Sequence, residues 1–463
     1  MNTNRQSQKR PWIIAGLLVL ALLSTAMTGC RTSATVEWTN QTTSGTVNST
    51  FVDVDGLLAE PTRVAASPPT EELNMSNNFN AGVPQFFDGT IYTYSYGAGN
   101  ENARMTAWDQ TTGKKLWLVD TGLRWIWSFV SDGTHLFLHT ANTFCCLDKK
   151  TGATVWKNTP TAGSPFVFDL GRKIVLHINK QSNVADRLYV LGAEMKNLDT
   201  GREQRNPGIY ILDGANGKLL GRIDWPALTL SNGSGELLCD GATLYASIPE
   251  STKAEYPAQK SSLVAFDLTT NKMLWKGSVD GEGSNLVKQG NMLVFIRSAA
   301  FVDDWIDVWQ IGAAITSVKR LWTRHTDTTP GEGRIISFAV DNGFVYLQGS
   351  KATLRALALT SGREAWDYQF APTKGPITDG PDVGKLHDTF PSMTLTTTRN
   401  VLFVQDGGGL VAVLDPATGK ELWSKRISNI QWGQHATSGF FVLQLVDKGF
   451  LVLASDGKVQ LWN

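Results

Sequence analysis

One short element recurs along this chain of 463 residues and constrains its fold more than any other feature. It reads Asp-x-x-Thr-Gly-x-x-x-Trp, and an apolar or alternating run precedes each copy. The clearest copies are Ala107–Trp117, Cys146–Trp156 and Val413–Trp423, and weaker ones are Ile211–Gly221, Ala265–Trp275 and Ala356–Trp366. Five copies keep an Asp eight residues before the Trp position, at Asp109, Asp148, Asp213, Asp267 and Asp415. A spacing kept over so many copies indicates a repeat architecture.

The chemistry of the element predicts a tight turn between two strands. An Asp carboxylate accepts backbone N–H groups across a turn, and a Gly supplies the positive φ that a Cβ would resist. The glycines of the best copies are Gly113, Gly152 and Gly419. A second turn signal precedes most copies, at Asp88-Gly89, Asp132-Gly133, Asp240-Gly241 and Asp341-Asn342-Gly343. Each repeat is therefore predicted to be a meander of about four strands.

The Trp positions fall at residues 117, 156, 221, 275, 322, 366, 423 and 462, which makes eight units. A small sheet cannot bury both of its faces alone, so a closed ring of sheets packed face to face is expected. We predict an all-β fold, a β-propeller of four-stranded blades, with eight blades and seven as the alternative. Two stacked all-β domains would not explain a single recurring element.

The units resemble those of the pyrroloquinoline-quinone (PQQ)-type propeller repeat superfamily over about residues 84–463. In that superfamily the Trp docks on the turn of the neighbouring blade and forms a girdle around the ring. The resemblance implies this role for Trp117, Trp156, Trp275, Trp322, Trp366, Trp423 and Trp462. The resemblance is specific for the fold but gives little information about function, because enzymes and non-enzymatic scaffolds both use these repeats.

Residues 1–29 are predicted to be a lipoprotein signal peptide. A basic start precedes the apolar run Trp12–Leu23, which is shorter than the roughly 20 residues of a membrane-spanning helix. The alternative is a permanent anchor helix. Met27-Thr28-Gly29-Cys30 resembles the bacterial lipobox, with Met27 where leucine is usual, so Cys30 is the expected lipidation site. The anchored protein would lie on the outer membrane of a Gram-negative host, or on the outer face of a Gram-positive plasma membrane.

Residues 30–83, rich in Thr, Ser, Asn and Pro, are predicted to be the lipidated N-terminus and a polar tether. Within the tether, Ala34–Trp38 resembles an outer strand that could pair with a terminal blade. Residues 84–463 form the predicted propeller. Two long segments interrupt its spacing: Asn179–Asn206, a predicted hairpin in the third unit, and Ala371–Pro391, a predicted long connection.

Charge and cysteine usage limit the function classes. Lys and Arg number 42, as do Asp and Glu, without a basic patch, which argues against nucleic-acid binding. After Cys30 three cysteines remain, and export permits disulfides between them. Quinoprotein dehydrogenases of the superfamily carry a vicinal disulfide over the quinone. Here Cys145 and Cys146 lie within a predicted strand, where neighbours point to opposite faces, so we expect both to be ordinary core residues.

The loops that join each Trp strand to the next unit would line one face of the ring, where such folds usually bind ligands. This candidate binding face is predicted to contain Arg124, Trp125, Trp127, Arg324, Arg334, His387, Trp432 and His435. Arg and Trp are common anchors of binding surfaces, although aromatic pore closure and solvated charges explain them equally well. Asp303 and Asp304 are expected to be solvated, and the six histidines lack metal-ligand spacing.

The leading hypothesis is a non-catalytic exported lipoprotein that binds a protein partner or an extracellular polymer in the cell envelope, as a scaffold or assembly factor. No catalytic residue, metal or cofactor is predicted. In architecture the chain resembles the propeller lipoproteins of the outer-membrane β-barrel assembly machine, although its tether is longer and its blade lengths are irregular. The alternative is a PQQ- and calcium-dependent quinoprotein dehydrogenase, whose calcium ligands we cannot place at any matching motif.

Overall fold

The computed structural model describes residues 63–66, 85–95, 102–109, 114–123, 126, 128–140, 143–158, 166–167, 174–179, 184–198, 201–225, 235–250, 260–299, 303–325, 335–349, 353–369, 373–376, 386–389, 394–398, 401–405, 410–426, 442–446, 449–453 and 459–462. These residues form antiparallel strands and turns. They contain no helix, and hence none that could cross a membrane. The predicted all-β class is confirmed.

After the first strand, β1 (Arg63–Ala66), the strands form sheets in chain order. Sheet 1 contains β2 (Gln85–Phe87), β3 (Thr90–Ser95), β4 (Arg104–Asp109) and β5 (Lys115–Asp120). Sheet 2 contains β6 (Ser128–Ser131), β7 (His135–His139), β8 (Phe144–Asp148) and β9 (Thr154–Asn158). Sheet 3 contains β10 (Phe166–Val167), β11 (Ile174–Asn179), β12 (Val184–Leu198), β13 (Gly201–Asp213) and β14 (Leu219–Asp224). Sheet 4 contains β15 (Glu236–Asp240), β16 (Thr243–Glu250), β17 (Lys260–Asp267) and β18 (Lys272–Asp280).

The second half of the chain continues the pattern. Sheet 5 contains β19 (Glu282–Gln289), β20 (Met292–Ala299), β21 (Asp303–Ile311) and β22 (Val318–His325). Sheet 6 contains β23 (Ile335–Asp341), β24 (Phe344–Gly349), β25 (Thr353–Ala358) and β26 (Glu364–Gln369), and a separate pair follows, β27 (Thr373–Pro376) with β28 (Leu386–Thr389). Sheet 7 contains β29 (Thr394–Thr398), β30 (Val401–Gln405), β31 (Leu410–Leu414) and β32 (Glu421–Arg426). Sheet 8 contains β33 (Val442–Val446), β34 (Gly449–Leu453), β35 (Val459–Trp462) and the early strand β1.

Successive sheets pack side by side through their first strands, or through β11 in sheet 3. From sheet 2 to sheet 7 the contacting strands are β6 and β11, β11 and β15, β15 and β19, β19 and β23, and β23 and β29. The apolar cores therefore lie between neighbouring sheets, as in a propeller. The predicted β-propeller of four-stranded units is confirmed, while the number of blades in the closed ring stays a prediction.

Three segments differ in detail from the sequence expectation. The interval predicted to be a tether contributes β1, which pairs with β35 so that Arg63 lies opposite Trp462; the alternative strand Ala34–Trp38 lies outside the described residues. The predicted hairpin of the third unit is present as β12 and β13, which stay paired out to Leu198 and Gly201. The connection Ala371–Pro391 contains the pair β27 and β28, because its residues hydrogen-bond to each other as strands.

The recurrent element folds as its chemistry predicts. Asp148 Oδ1 accepts bonds from the Thr151 N–H and hydroxyl, both at 2.7 Å, and Asp415 Oδ1 accepts two backbone N–H groups at 2.9 Å. The Thr151 hydroxyl is the largest cause that holds the pKa of Asp148 below its ordinary value. The glycine of the element has a positive φ, 73° at Gly152 and 70° at Gly419. The turn therefore uses the Asp as an acceptor and the Gly for its backbone conformation.

The Trp of one sheet docks on the turn of the next sheet. Its indole N–H donates to the carbonyl one residue after the Asp position, from Trp117 to Lys149 at 3.2 Å, Trp156 to Gly214 at 2.9 Å, Trp322 to Leu359 at 2.8 Å and Trp366 to Pro416 at 3.0 Å. The ring lies on the turn glycine. A Cβ added to that glycine would come within 2.8 Å of Trp117 at Gly152, 2.5 Å of Trp156 at Gly217, 2.8 Å of Trp322 at Gly362 and 2.5 Å of Trp366 at Gly419. Close approach, as well as φ, therefore requires glycine there.

The antiparallel meander gives the ring two ends. The first and third turns of each sheet lie at one end, the turn face, and the second turns and the connections between sheets lie at the other, the loop face. On the turn face the first-turn aspartates join neighbouring sheets, a role that the sequence did not reveal. Asp88 pairs with Lys149, Asp132 Oδ2 accepts the Ala185 N–H at 2.7 Å, Asp240 pairs with Lys288 at 2.7 Å and Asp341 accepts from Gln289 at 3.4 Å.

A pair of glycine substitutions separates the two requirements at the turn. Gly290 has a φ of 58° but open space around an added Cβ, whereas Gly152 has both the positive φ and the indole. We expect Gly290→Ala to cost about 1 kcal/mol through φ alone. Gly152→Ala should cost about 2–4 kcal/mol, because overpacking against Trp117 adds to the backbone strain. Urea unfolding of both variants measures this, and equal losses would contradict the docking role of Gly152.

Candidate functional site

Most residues of the predicted binding face cannot be placed. Arg124, Trp125, Trp127, Arg334, Trp432 and His435 lie outside the described residues, as do Cys30 and Gly113. His387 lies on β28 opposite Gly375, and Trp462 lies on β35. Arg324 lies near the end of β22, the strand that leads to the loop face. The candidate site therefore consists of Arg324 and of side chains near the same end of sheets 4 to 6.

A row of three side chains crosses sheet 5 beside Arg324. Register places Arg297 of β20 opposite Trp305 of β21, and Trp305 opposite His325 of β22, so all three share one face of the sheet. The Arg297 guanidinium lies 4.6 Å from the Trp305 ring centre, and the His325 ring stacks on the other side at 4.5 Å with 22° between planes. Because each neighbour lies on a different strand, Trp305 is held between a cation and an imidazole.

A buried carboxylate fixes this row. Asp307 has 0% exposure, and its Oδ2 pairs with Arg297 Nε at 2.6 Å. Arg297 also donates to the Asp280 carbonyl of sheet 4 at 2.8 Å. Asp304 is likewise buried, at 2% exposure, which corrects the expectation that Asp303 and Asp304 are both solvated. The expectation for Asp304 was wrong because this residue belongs to β21, a strand paired with β20 on one side and β22 on the other, rather than to a loop.

Arg324 itself joins sheet 5 to sheet 6. Its Nη2 lies 3.4 Å from Glu364 of β26, and Arg355 of β25 binds the same Oε2 at 2.9 Å. Two guanidinium groups thus share one partly exposed carboxylate. This shared carboxylate ties the end of β22 to the outer strands of sheet 6.

Sheet 4 carries a related arrangement at the same end. Glu250 accepts bonds from Lys276 at 2.7 Å and from Ser262 at 2.6 Å, and Lys276 lies 4.8 Å over the ring of Trp225 from sheet 3. Partial burial of Glu250 opposes its ionisation, but the bonds from Lys276 and Ser262 outweigh it, so its pKa lies below the ordinary value. The carboxylate is thus kept charged and the amino group is held on the indole.

The loop-face end of sheets 4 and 5 therefore holds cations against aromatic rings, and carboxylates fix the cations in place; Arg297 and Trp225 are buried, whereas Trp305, Arg324 and His325 are half-buried. Guanidinium, ammonium and indole groups of this kind recognise anionic and aromatic groups. Within the described residues no three His, Cys, Asp or Glu side chains are grouped as metal ligands would be.

Sequence reasoning found Arg324 and missed its neighbours Arg297, Trp305 and Glu250. Arg324 stood out because it follows a Trp of the repeat. Arg297 and Trp305 are adjacent only through cross-strand register, and no spacing along the chain reports that. The sequence feature that could have pointed to these residues was the presence of Trp225 and Trp305, two tryptophans that fall outside the repeat position.

The vicinal cysteines do not fit the quinone clamp that the dehydrogenase alternative implies. Cys145 packs in the core between sheets 1 and 2, whereas Cys146 packs in the core between sheets 2 and 3. Both are free thiols, and burial raises their pKa values, that of Cys145 to about 11. The two side chains point to opposite faces of a regular strand, as expected, and a bridge between them would distort β8. The cysteine pair is therefore not arranged to hold a quinone.

Comparison with known proteins gives one family and several similar folds. The sequence model of the family described as outer membrane protein assembly factor BamB, with PQQ-type repeats, matches residues 101–185 and 205–463. No curated protein shows significant sequence similarity to the chain.

Comparison with solved structures returns the following matches. The computationally designed protein Ika8 has a TM-score of 0.54 at 14% identity, over 86% of this chain and 99% of that one. BamB from Moraxella catarrhalis has 0.49 at 12% identity, over 88% and 98%, and Sqt1 from Saccharomyces cerevisiae has 0.49 at 10%, over 81% and 92%.

A double-mutant cycle tests the buried pair that holds Trp305. Arg297→Met should cost about 3–5 kcal/mol in unfolding free energy, because it leaves the Asp307 carboxylate buried without Arg297. Arg297→Met with Asp307→Leu should recover at least half of that loss, since the uncompensated charge is gone. Urea unfolding of the two single variants, Arg297→Met and Asp307→Leu, and of the double variant measures the coupling, and strictly additive losses would show that the pair is not coupled.

Proposed function

The chain belongs to the family of the outer membrane protein assembly factor BamB, and from that membership we propose that it is a non-catalytic exported lipoprotein that binds a protein partner in the cell envelope through its loop face. An extracellular polymer is the alternative ligand of the same face. The single observation that carries this proposal is the row of Arg297, Trp305 and His325 beside Arg324.

The row favours recognition of a partner for a physical reason. Binding energy concentrates in a few Trp, Tyr and Arg side chains that are already ordered before association. Trp305 is held on both sides and Arg297 by two further bonds, so little conformational entropy remains to be lost at this point of the surface.

The roles of the Asp, Gly and Trp residues of the repeat support a scaffold function. In the described copies the Asp, Gly and Trp of the repeat serve the turn and the packing between sheets. The cysteine pair, which would suggest redox chemistry, serves the cores. The residues left for function are therefore those of the loop face, whose chemistry is binding.

Export and anchoring are part of the proposal and rest on the lipobox at Met27–Cys30. Acyl chains on Cys30 would anchor the protein stably, because each buried CH₂ contributes roughly 0.8 kcal/mol. In a Gram-negative host the anchor would lie in the outer membrane, and in a Gram-positive host in the plasma membrane.

Lipidation is tested by substitution of the acceptor. We expect wild-type protein to partition into the detergent phase of Triton X-114 and to incorporate labelled palmitate, whereas Cys30→Ser does neither. Cys239→Ser is the matched control, because Cys239 is a partly buried thiol far along the chain, and it should behave as wild type. Partition of Cys30→Ser into detergent would favour the anchor helix instead.

The loop face is tested by photocrosslinking in intact envelopes. A photoreactive residue at position 324 should give one discrete crosslinked species, and the same residue at Asn291, on the turn face of the same sheet, should give none. Trp305→Ala should weaken binding of that species about 30-fold, which corresponds to the ~2 kcal/mol of an anchor residue. Equal crosslinking from both positions would overturn the assignment of the face.

A further inference from the structure

The Trp girdle is interrupted between sheets 3 and 4. The Trp position of sheet 3 holds Gly221, and the glycine position of the facing turn holds Asn271, with a φ of 54°. At the four junctions where the girdle bond is described, the indole and the glycine occur together. Between sheets 4 and 5 the indole N–H of Trp275 is buried and has no hydrogen-bond partner among the described residues, and the turn of sheet 5 has Ile315 at a φ of 59° in place of a glycine. The joint loss of both is physically consistent, because without an indole overhead the turn no longer needs a residue that lacks a Cβ.

The position of the missing indole is open. A Cβ built on Gly221 meets no atom within 4 Å. The Leu268 carbonyl, which corresponds to the acceptors of the other indoles, is reached instead by Arg187 Nη1 at 3.1 Å. A carbonyl oxygen has two lone pairs, so it can accept a second donor beside Arg187. We call the space over Gly221 and Leu268, between β14 and the turn before β18, the Gly221 notch.

The surroundings of the notch are apolar and basic. Leu220 is 55% exposed and Met273 is 51% exposed, the first beside Gly221 and the second on the strand that follows the facing turn. Lys218 and Lys272 flank them, are both exposed, and form no ion pair with the part of the chain that the structure describes. The nearby carboxylates Asp213 and Asp267 accept bonds from backbone N–H groups of their own turns.

The edge beside the notch favours an extended ligand. β14 is the last strand of its sheet, paired with β13 on one side only, so its outer backbone groups have no strand neighbour among the described residues. A glycine in such an edge permits close approach of another backbone, and strand addition gives affinity through main-chain hydrogen bonds.

We propose that the Gly221 notch is a second docking site, which takes an extended segment of a partner protein with one aromatic side chain flanked by acidic residues. The aromatic ring would occupy the place that Trp117, Trp156, Trp322 and Trp366 occupy at their junctions. Acidic flanks complement Lys218 and Lys272. The inference rests on the proposed partner-binding function and adds a site on the rim, away from the loop face.

The test fills the notch with the chain's own chemistry. The full-length protein in detergent is titrated with a fluorescein-labelled octapeptide that carries a central Trp flanked by Glu and Asp. Gly221→Trp with Asn271→Gly should restore the girdle, raise the melting temperature by a few degrees, and weaken the peptide about 30-fold, the effect of removing an anchor contact. Asn271→Gly alone leaves the notch open and should bind as wild type.

A further protein variant and a control peptide complete the experiment. Met273→Lys leaves the fold of the junction intact and should also weaken the peptide, and a peptide with Ala in place of Trp should bind neither protein. Absence of binding to wild type, or equal binding to the filled variant, would overturn the proposal. So would self-association or binding to anionic vesicles that the filled variant loses, since those outcomes assign the notch to a second copy or to lipid. Crosslinking from position 324 should persist in the filled variant, which separates this site from the loop face.

Discussion

The fold depends on one contact, in which an indole N–H reaches the turn of the neighbouring sheet. The hydrogen bond and the ring packed on a glycine act together, because the ring can approach the carbonyl closely only where the turn residue has no Cβ. A small four-stranded sheet cannot bury both of its faces alone. The contact joins sheet 1 to sheet 2, sheet 2 to sheet 3, sheet 5 to sheet 6 and sheet 6 to sheet 7, so stability is shared between neighbouring sheets rather than belonging to any one of them.

Turn chemistry made most of this architecture predictable from the sequence. Asp148, Gly152 and Trp156 act locally or on the next repeat, so a fixed spacing along the chain reports their roles. The loop-face row was not predictable in the same way. Arg297, Trp305 and His325 come together through strand register, which depends on bulges such as that between Val308 and Trp309. The closing strand Arg63–Ala66 was missed for a related reason, since a four-residue strand in a polar segment carries too short a pattern to recognise.

The two ends of the ring have different roles. The turn face stabilises the packing between sheets, and the loop face is the one that we propose to bind a partner. On the turn face, aspartates such as Asp132 and Asp240 face into neighbouring sheets and hold them together. On the loop face the stacked rings of Trp305 and His325 are half-buried, so a part of their surface faces outward. The repeat that identifies the family therefore does not indicate the ligand, because its Asp, Gly and Trp residues stabilise the turns and the packing between sheets.

The pairing of β1 with β35 has a consequence for how the protein is made. The two strands lie almost 400 residues apart in the chain, so their sheet forms only after nearly all of the protein has been synthesised. Contacts of such high sequence separation form slowly, and until then the flanking sheets expose apolar faces that promote aggregation. The pairing of β1 with β35 is therefore expected to be a late step in the folding of this protein.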